Sequence, residues 1–177
     1  MRTRRELFFQ LAGKKPPLRP PWTAPDYAGL CTACGECIPA CPEAILVAGR
    51  RGIPHIDPQG DGCTRCGACA DACPEDVFDR QRPAFSWRAT ISDRCLTEMG
   101  VSCRSCEDAC PELAIQFRPA IGGIARPSIQ TGDCTGCMAC LPVCPQQAIE
   151  MREPEREGVL NTAMVYHEII ENEDISP

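Results

Sequence analysis

Three runs of one spacing dominate the chemistry this chain could do: CTACGECIPACP at 31–42, CTRCGACADACP at 63–74 and CTGCMACLPVCP at 134–145. A fourth, CRSCEDACP at 103–111, keeps the last three cysteines and the closing proline but has no opening cysteine of its own. The nearest thiol before it, Cys95, is separated from Cys103 by seven residues. From the last cysteine of one motif to the first of the next is 22, 22 and 24 positions when Cys95 is counted as the third opener. Cys95 thus keeps the period, and the insertion lies inside the motif rather than between motifs.

Thiols in Cys-x2-Cys-x2-Cys-x3-Cys-Pro order suit a cubane iron–sulfur cluster. A short turning loop supplies three thiolates, and in two-cluster ferredoxins the fourth cysteine of the run serves the other cluster. On that scheme Cys31, Cys34 and Cys37 take Cys73, while Cys63, Cys66 and Cys69 take Cys41. In the second half Cys95, Cys103 and Cys106 take Cys144, while Cys134, Cys137 and Cys140 take Cys110. Sixteen cysteines divide into four such sets only if Cys95 serves; otherwise one site holds three thiolates. Structural zinc also uses Cys-x2-Cys pairs, but it has no use for a third cysteine in every run or for the recurring Cys-Pro. A disulfide framework is the weaker alternative for a chain of this kind. Pairing has its own alternative, in which the first motif exchanges with the fourth around the second and third.

The elements that must carry these loops are short. The spacers AILVAGRRGIPHIDPQGDGC and AIQFRPAIGGIARPSIQTGDC resemble each other, and each reads as a hairpin, around Gly49 to Gly52 and around Gly122-Gly123. The spacer between them differs: it lacks the Gly turn and carries Arg80, Arg82, Pro83 and Trp87. The larger repeat is therefore two motifs long, which favours sequential exchange of the fourth cysteines. The expected fold is α+β, tandem bacterial-type 2[4Fe-4S] ferredoxin-like modules at 25–87 and 88–151, between a basic leader (1–24) and an acidic tail (152–177). Gly35, Gly67 and Gly136 lack a Cβ and let backbone N–H groups approach cluster sulfur. Pro42, Pro74, Pro111 and Pro145 disfavour helical geometry at the cysteine before them and stop each short helix there.

With 16 cysteines and only 5% aromatic residues in 177, the chain cannot assemble a large aromatic core, so bound metal must take over part of that work. The net charge of −6 is unevenly placed: +5 over residues 1–21 and −6 over 150–177. An acidic body argues against a nucleic-acid groove, and no apolar run is long enough to span a membrane. No nucleophile–base pair, phosphate loop or flavin fingerprint is visible, so an electron carrier is expected rather than an enzyme. The leader contains TRRELF, like a twin-arginine signal, but its apolar stretch is interrupted by Gln10 and cut short by Lys14, Lys15 and Pro16, which predicts a cytoplasmic protein. It reads either as a solvated basic arm or as a short amphipathic helix with Leu7, Phe8 and Leu11 on one side. The tail places Val159, Leu160, Ala163, Met164, His167 and Ile170 at helical intervals, more in keeping with a packing helix than with a binding element. His55 and His167 are isolated and read as structural.

Arg4-Arg5, RPPW at 19–22, the four motifs, the widened third motif from Cys95 to Cys110 and FRP at 117–119 resemble the NapF-type ferredoxins of periplasmic nitrate reductase systems. The resemblance implies an accessory protein with four [4Fe-4S] clusters. It would contact the catalytic molybdenum subunit of nitrate reductase before export, through the leader, and exchange electrons with redox partner proteins. Two other readings stand beside it: a permanent electron-wire subunit of an oxidoreductase complex, and a cluster-dependent binding or sensing module.

Overall fold

The computed structural model describes residues 17–119 and 123–153. The basic residues and apolar stripe expected before residue 17, the helix expected in the tail and Gly122 lie outside the described residues.

Among the described residues the regular elements are small and arise where the repeat places them. β1 (Leu46–Ala48) and β2 (Pro54–Ile56) pair antiparallel, with Leu46 opposite Ile56 and Val47 opposite His55. A 3-10 turn at Arg50–Gly52 joins them. In the second half β4 (Ile115–Arg118) and β5 (Arg126–Ile129) pair the same way, Ile115 opposite Ile129. These are the two Ala-Ile spacers. In each, the isoleucine beginning the apolar run is buried: Ile45 and Ile115 are both 2% exposed. The helices are single turns, α1 (Ala68–Asp71) and α2 (Ser105–Asp108), each ending just before a Cys-Pro.

A third sheet joins segments far apart in the chain. β3 (Arg88–Ile91) runs antiparallel to β6 (Ile149–Arg152), with Arg88 opposite Arg152 and Ile91 opposite Ile149. The first half has the same closure in reduced form, a single bridge between Thr23 and Phe78. Each half is therefore closed by the segment entering its first motif meeting the segment leaving its second.

Residues 17–24, grouped with the leader on sequence grounds, are held against the first half. Leu18 bridges Ile56, Trp22 N–H donates to Ala84 O at 2.9 Å, and Asp79 N–H donates to Trp22 O at 3.0 Å. Pro20 is fully buried. Arg19 lies over the Trp87 ring, 5.3 Å from its centroid. Prolines at 20 and 21 fix φ in an extended segment, so holding it there costs little chain entropy.

Two small cores result. Ile45, Leu46, Ile56, Phe85, Trp87 and Met138 form one with Cys37 and Cys69. Ala89, Ile115, Phe117 and Ile149 form the other with Cys140. Met138 belongs to the fourth motif yet packs in the first core, so the halves share side chains. Phe85 stacks on Trp87 with centroids 5.0 Å apart, and Trp87 Nε1–H donates to Gly136 O at 3.0 Å. That arrangement explains Gly136. The equivalent loop position is Ala33 in the first motif and Arg65 in the second, both at positive φ, so the backbone conformation alone does not demand glycine. At Gly136 a Cβ would stand 2.7 Å from Trp87 O and 3.0 Å from Phe85 Cβ. Gly136→Ala should therefore destabilise the protein by roughly 2–3 kcal/mol through overpacking against backbone. The corresponding fall in the thermal midpoint of visible-absorption bleaching is roughly 5–10 °C.

Candidate metal centres

Three of the motifs open by one local recipe. In the first motif the loop after the opening cysteine takes left-handed conformations at Ala33 (φ 60°) and Gly35 (φ 83°), in the second at Arg65 (59°) and Gly67 (86°). In the fourth they fall on Gly136 (76°) and Met138 (73°). Two left-handed residues bend the loop around its own interior. Amides turn inward with it: Ala33 N–H reaches Cys31 Sγ and Arg65 N–H reaches Cys63 Sγ, both at 3.4 Å. At the far end, Cys-Pro opens a turn closed by N–H to carbonyl bonds from Ala44 to Cys41, Leu113 to Cys110 and Gln147 to Cys144. The next amides then bond sulfur: Ala114 N–H to Cys110 Sγ and Ala148 N–H to Cys144 Sγ, at 3.3 Å each. Such donors stabilise thiolate and raise a cluster's reduction potential.

The folding brings thiols of neighbouring motifs together in each half. Burial pushes Cys37 up to about 11, and the largest charge effects on it come from Cys73 and Cys31, with Cys34 smaller. Burial pushes Cys63 up to about 11 and Cys69 to about 12; Cys41 acts on both, Cys66 on Cys63 and Cys63 on Cys69. In the second half Cys106 is pushed up to about 11 by burial, with charge effects from Cys95, Cys103 and Cys144. Cys140 reaches about 12 by burial, with Cys137, Cys134, Cys106 and Cys110 acting on it. Cys69 also feels Cys37, and Cys140 feels Cys106 ahead of Cys110, so the two sets of each half lie close together.

Two of the groups surround cavities. Cys41, Cys63, Cys66 and Cys69 line one of about 320 Å³ including its open mouth, with Trp22, Ile45, Leu46 and Gly67. Cys110, Cys134, Cys137 and Cys140 line the other, about 310 Å³, with Ala89, Ile115, Met138 and Met151. Among the described residues no three Cys, His, Asp or Glu side chains are disposed to hold one metal ion. The sulfurs of two motifs instead line volumes large enough to suit a polynuclear core.

Cys95 sits beside Cys106 because the insertion folds back on itself. Cys95 O accepts from Glu98 N–H, Leu96 O from Met99 N–H and Val101 N–H, and Thr97 O from Gly100 N–H. Thr97 is 4% exposed, and its Oγ1 lies 3.3 Å from Cys95 Sγ. Sequence reasoning left open how seven extra residues could be absorbed; a compact run of turns closed at Gly100 (φ 81°) does so.

The chain matches the 4Fe-4S dicluster domain family over residues 30–77, 100–148 and 133–170, together more than half its length. It is 40% identical over 139 residues to the ferredoxin-type protein NapF of Haemophilus influenzae, covering 77% of this chain and 79% of that one. It is 42% identical over 135 residues to the NapF of Escherichia coli K12, covering 75% and 82% respectively. The chain belongs to the NapF ferredoxin family. As a NapF-type protein it is an iron–sulfur protein of the ferredoxin type, built from tandem 4Fe-4S dicluster domains.

A further feature of this NapF-type chain fits such a cofactor. Thr135, between Cys134 and Cys137, lines the second cavity, and its Oγ1 is buried without a hydrogen-bond partner in the protein. A buried hydroxyl without an acceptor is costly, and a cluster sulfide in that cavity would supply one. Sequence reasoning singled out neither Thr135 nor Arg80 for this role. Arg80 donates to Gly67 O at 2.6 Å, pairs with Asp71 at 2.6 Å and lies over Trp22, 5.9 Å from the ring centroid. Its guanidinium therefore stands at the wall of the first cavity. The dicluster match begins again at residue 100, five positions beyond Cys95.

Among the described residues no helix is long and apolar enough to cross a membrane.

Proposed function

We propose that this NapF-type ferredoxin carries four [4Fe-4S] clusters in two bacterial-type 2[4Fe-4S] modules, one at residues 25–87 and the other at 88–151. Their ligand sets are Cys31/Cys34/Cys37/Cys73, Cys63/Cys66/Cys69/Cys41, Cys95/Cys103/Cys106/Cys144 and Cys134/Cys137/Cys140/Cys110. The observation that supports this reading is the lining of the two cavities: Cys41 of the first motif stands with Cys63, Cys66 and Cys69 of the second, and Cys110 of the third stands with Cys134, Cys137 and Cys140 of the fourth. The clusters supply one-electron chemistry; the chain supplies position, burial and N–H donors to sulfur. Its place is the cytoplasm, as a carrier rather than an enzyme. There it supports maturation of the molybdenum subunit of periplasmic nitrate reductase before export, with the basic leader as the contact. The NapF resemblance supports that partner, and the surplus of positive charge in residues 1–21 supports the leader as its docking segment.

Anaerobic purification followed by iron and acid-labile sulfide counts tests the cofactor: four of each per cluster and four clusters per chain are expected, whereas zinc, or iron without sulfide, rejects it. Pull-down with the molybdenum subunit, with and without residues 1–22, tests the contact. Equal recovery of both forms rejects docking through the leader.

Arg80 offers a finer check. A cation at the wall of the second set's cavity favours the reduced, more negative cluster. Arg80→Gln should lower one reduction potential by something on the order of tens of millivolts, because the charge is half-exposed and screened. Redox titration followed by electron paramagnetic resonance reads that shift against three unchanged potentials.

A further inference from the structure

Of the four opening cysteines, three donate their backbone N–H to a carbonyl just upstream. Cys31 bonds Tyr27 O, Cys95 bonds Ser92 O and Cys134 bonds Gln130 O. Cys63 does otherwise: its N–H donates to Cys137 O at 2.8 Å, in the other half of the molecule. The cause lies one residue earlier. The second motif is entered through Gly-Asp-Gly-Cys, the fourth through Thr-Gly-Asp-Cys, so Gly62 stands where the fourth motif has Asp133. Gly62 is buried at φ +100°, and a Cβ there would lie 2.8 Å from Ala139 N and 2.9 Å from Ala139 Cα. The two cluster-binding loops thus touch backbone to backbone. An ion pair between Arg65 and Glu112 ties the same two regions together, and Met138, between Cys137 and Ala139, is packed in the first core.

We infer that the Gly62–Cys63 and Cys137–Ala139 contact is the electron crossing between the two halves, so that the four sets form a single wire in the order first, second, fourth, third. This rests on the cofactor reading above. The contact joins a ligand of the second set to a ligand of the fourth through one hydrogen bond and no intervening side chain. The outer links fall within the halves: Cys37 and Cys69 are packed in one core, and Cys106 packs against the core that holds Cys140. Exchange at the crossing moves one electron. A reduced core on one side is oxidised as the oxidised core on the other is reduced, with no bond made or broken and no proton transferred. The electron enters from an external low-potential one-electron donor. The first and third sets are the wire's ends, and the exposed Cys34 of the first set marks one place where a donor or acceptor can approach.

The test uses the full-length holoprotein, reduced with dithionite and read by pulsed electron paramagnetic resonance. Gly62→Ala should retain wild-type iron and sulfide but lose the magnetic interaction between the second and fourth clusters, since the loops must part to admit a methyl group. Unchanged interaction in a fully loaded G62A protein overturns the crossing. Should that variant fail to fold, Cys34→Ala combined with Cys103→Ala removes the outer clusters or cuts them to three-iron cores, and leaves the inner pair as the only intact four-iron clusters. Its two reduced signals should remain mutually broadened, and two independent signals overturn the proposal. Wild-type protein with fewer than four clusters rejects the cofactor reading instead, a result distinct from either spectrum.

Discussion

Stripping the clusters should unfold the molecule, not merely bleach it. Chelation in mild acid under anaerobic conditions is expected to remove visible absorption and collapse near-ultraviolet circular dichroism with the same time course. The apoprotein should then show no cooperative thermal transition. The elements explain why. The described sheets are two-stranded, with strands of three or four residues, and the helices are four residues long. An isolated two-stranded ribbon is marginal in water, and helices under about 12 residues do not persist alone. What holds these pieces in register is two small cores, and buried cysteines belong to both: Cys37 and Cys69 to one, Cys140 to the other. Structural zinc in small domains contributes roughly 10–16 kcal/mol of folding free energy. Four-thiolate clusters acting likewise would each rival the whole ~5–15 kcal/mol stability of an ordinary domain. An apoprotein that melts cooperatively would show that the polypeptide core suffices without metal.

Much of the arrangement was legible in the residues. The Ala-Ile spacers, with turn glycines between two apolar runs, form the hairpins expected of them, because register there is local and set by the turn. The recurrence of the motif loops was legible for a related reason: left-handed residues at Ala33 and Gly35, Arg65 and Gly67, and Gly136 and Met138 repeat because the cysteine spacing does. The β3–β6 sheet was not legible. Arg88–Ile91 and Ile149–Arg152 are short and about 60 residues apart, and alternation within a strand carries no information about which distant strand will pair with it. The same limit hid the strap at Leu18–Trp22 and the packing of Met138 into the first core. In the fourth motif glycine stands two positions earlier than in the first two, at Gly136 instead of where Gly35 and Gly67 stand. That shift was a visible signal of close approach by another segment, and Trp87 is the segment that approaches. Thr135 repeats Thr32 and Thr64, so its place in the motif was plain, but the buried, partnerless state of its hydroxyl is a property of packing.

Replacing Cys95 should cost one cluster and spare three. Cys95 contributes the largest charge effect on Cys106, ahead of Cys103 and Cys144, and the turns of residues 95–101 hold it there without help from another motif. Cys95→Ala removes one corner thiolate of the third set, and the remaining Cys103, Cys106 and Cys144 can keep at most a three-iron core. Iron should fall by about a quarter if that cluster is lost, or by about a sixteenth if a three-iron core survives. In the second case the oxidised protein gains a three-iron paramagnetic signal absent from wild type. Cys110 is nearer to Cys106 in sequence than Cys95 is, so its replacement supplies the contrast: Cys110→Ala should damage the fourth set, which it lines, and leave the third intact. Thr97→Ala should produce a milder effect in the third set alone, because Thr97 Oγ1 touches Cys95 Sγ without occupying a ligand position. Full iron content in the Cys95 variant, with four unaltered reduced signals, would mean that the third set closes without it. A nested arrangement is tested by the same spectra, since it would move the damage from Cys110→Ala into the second set.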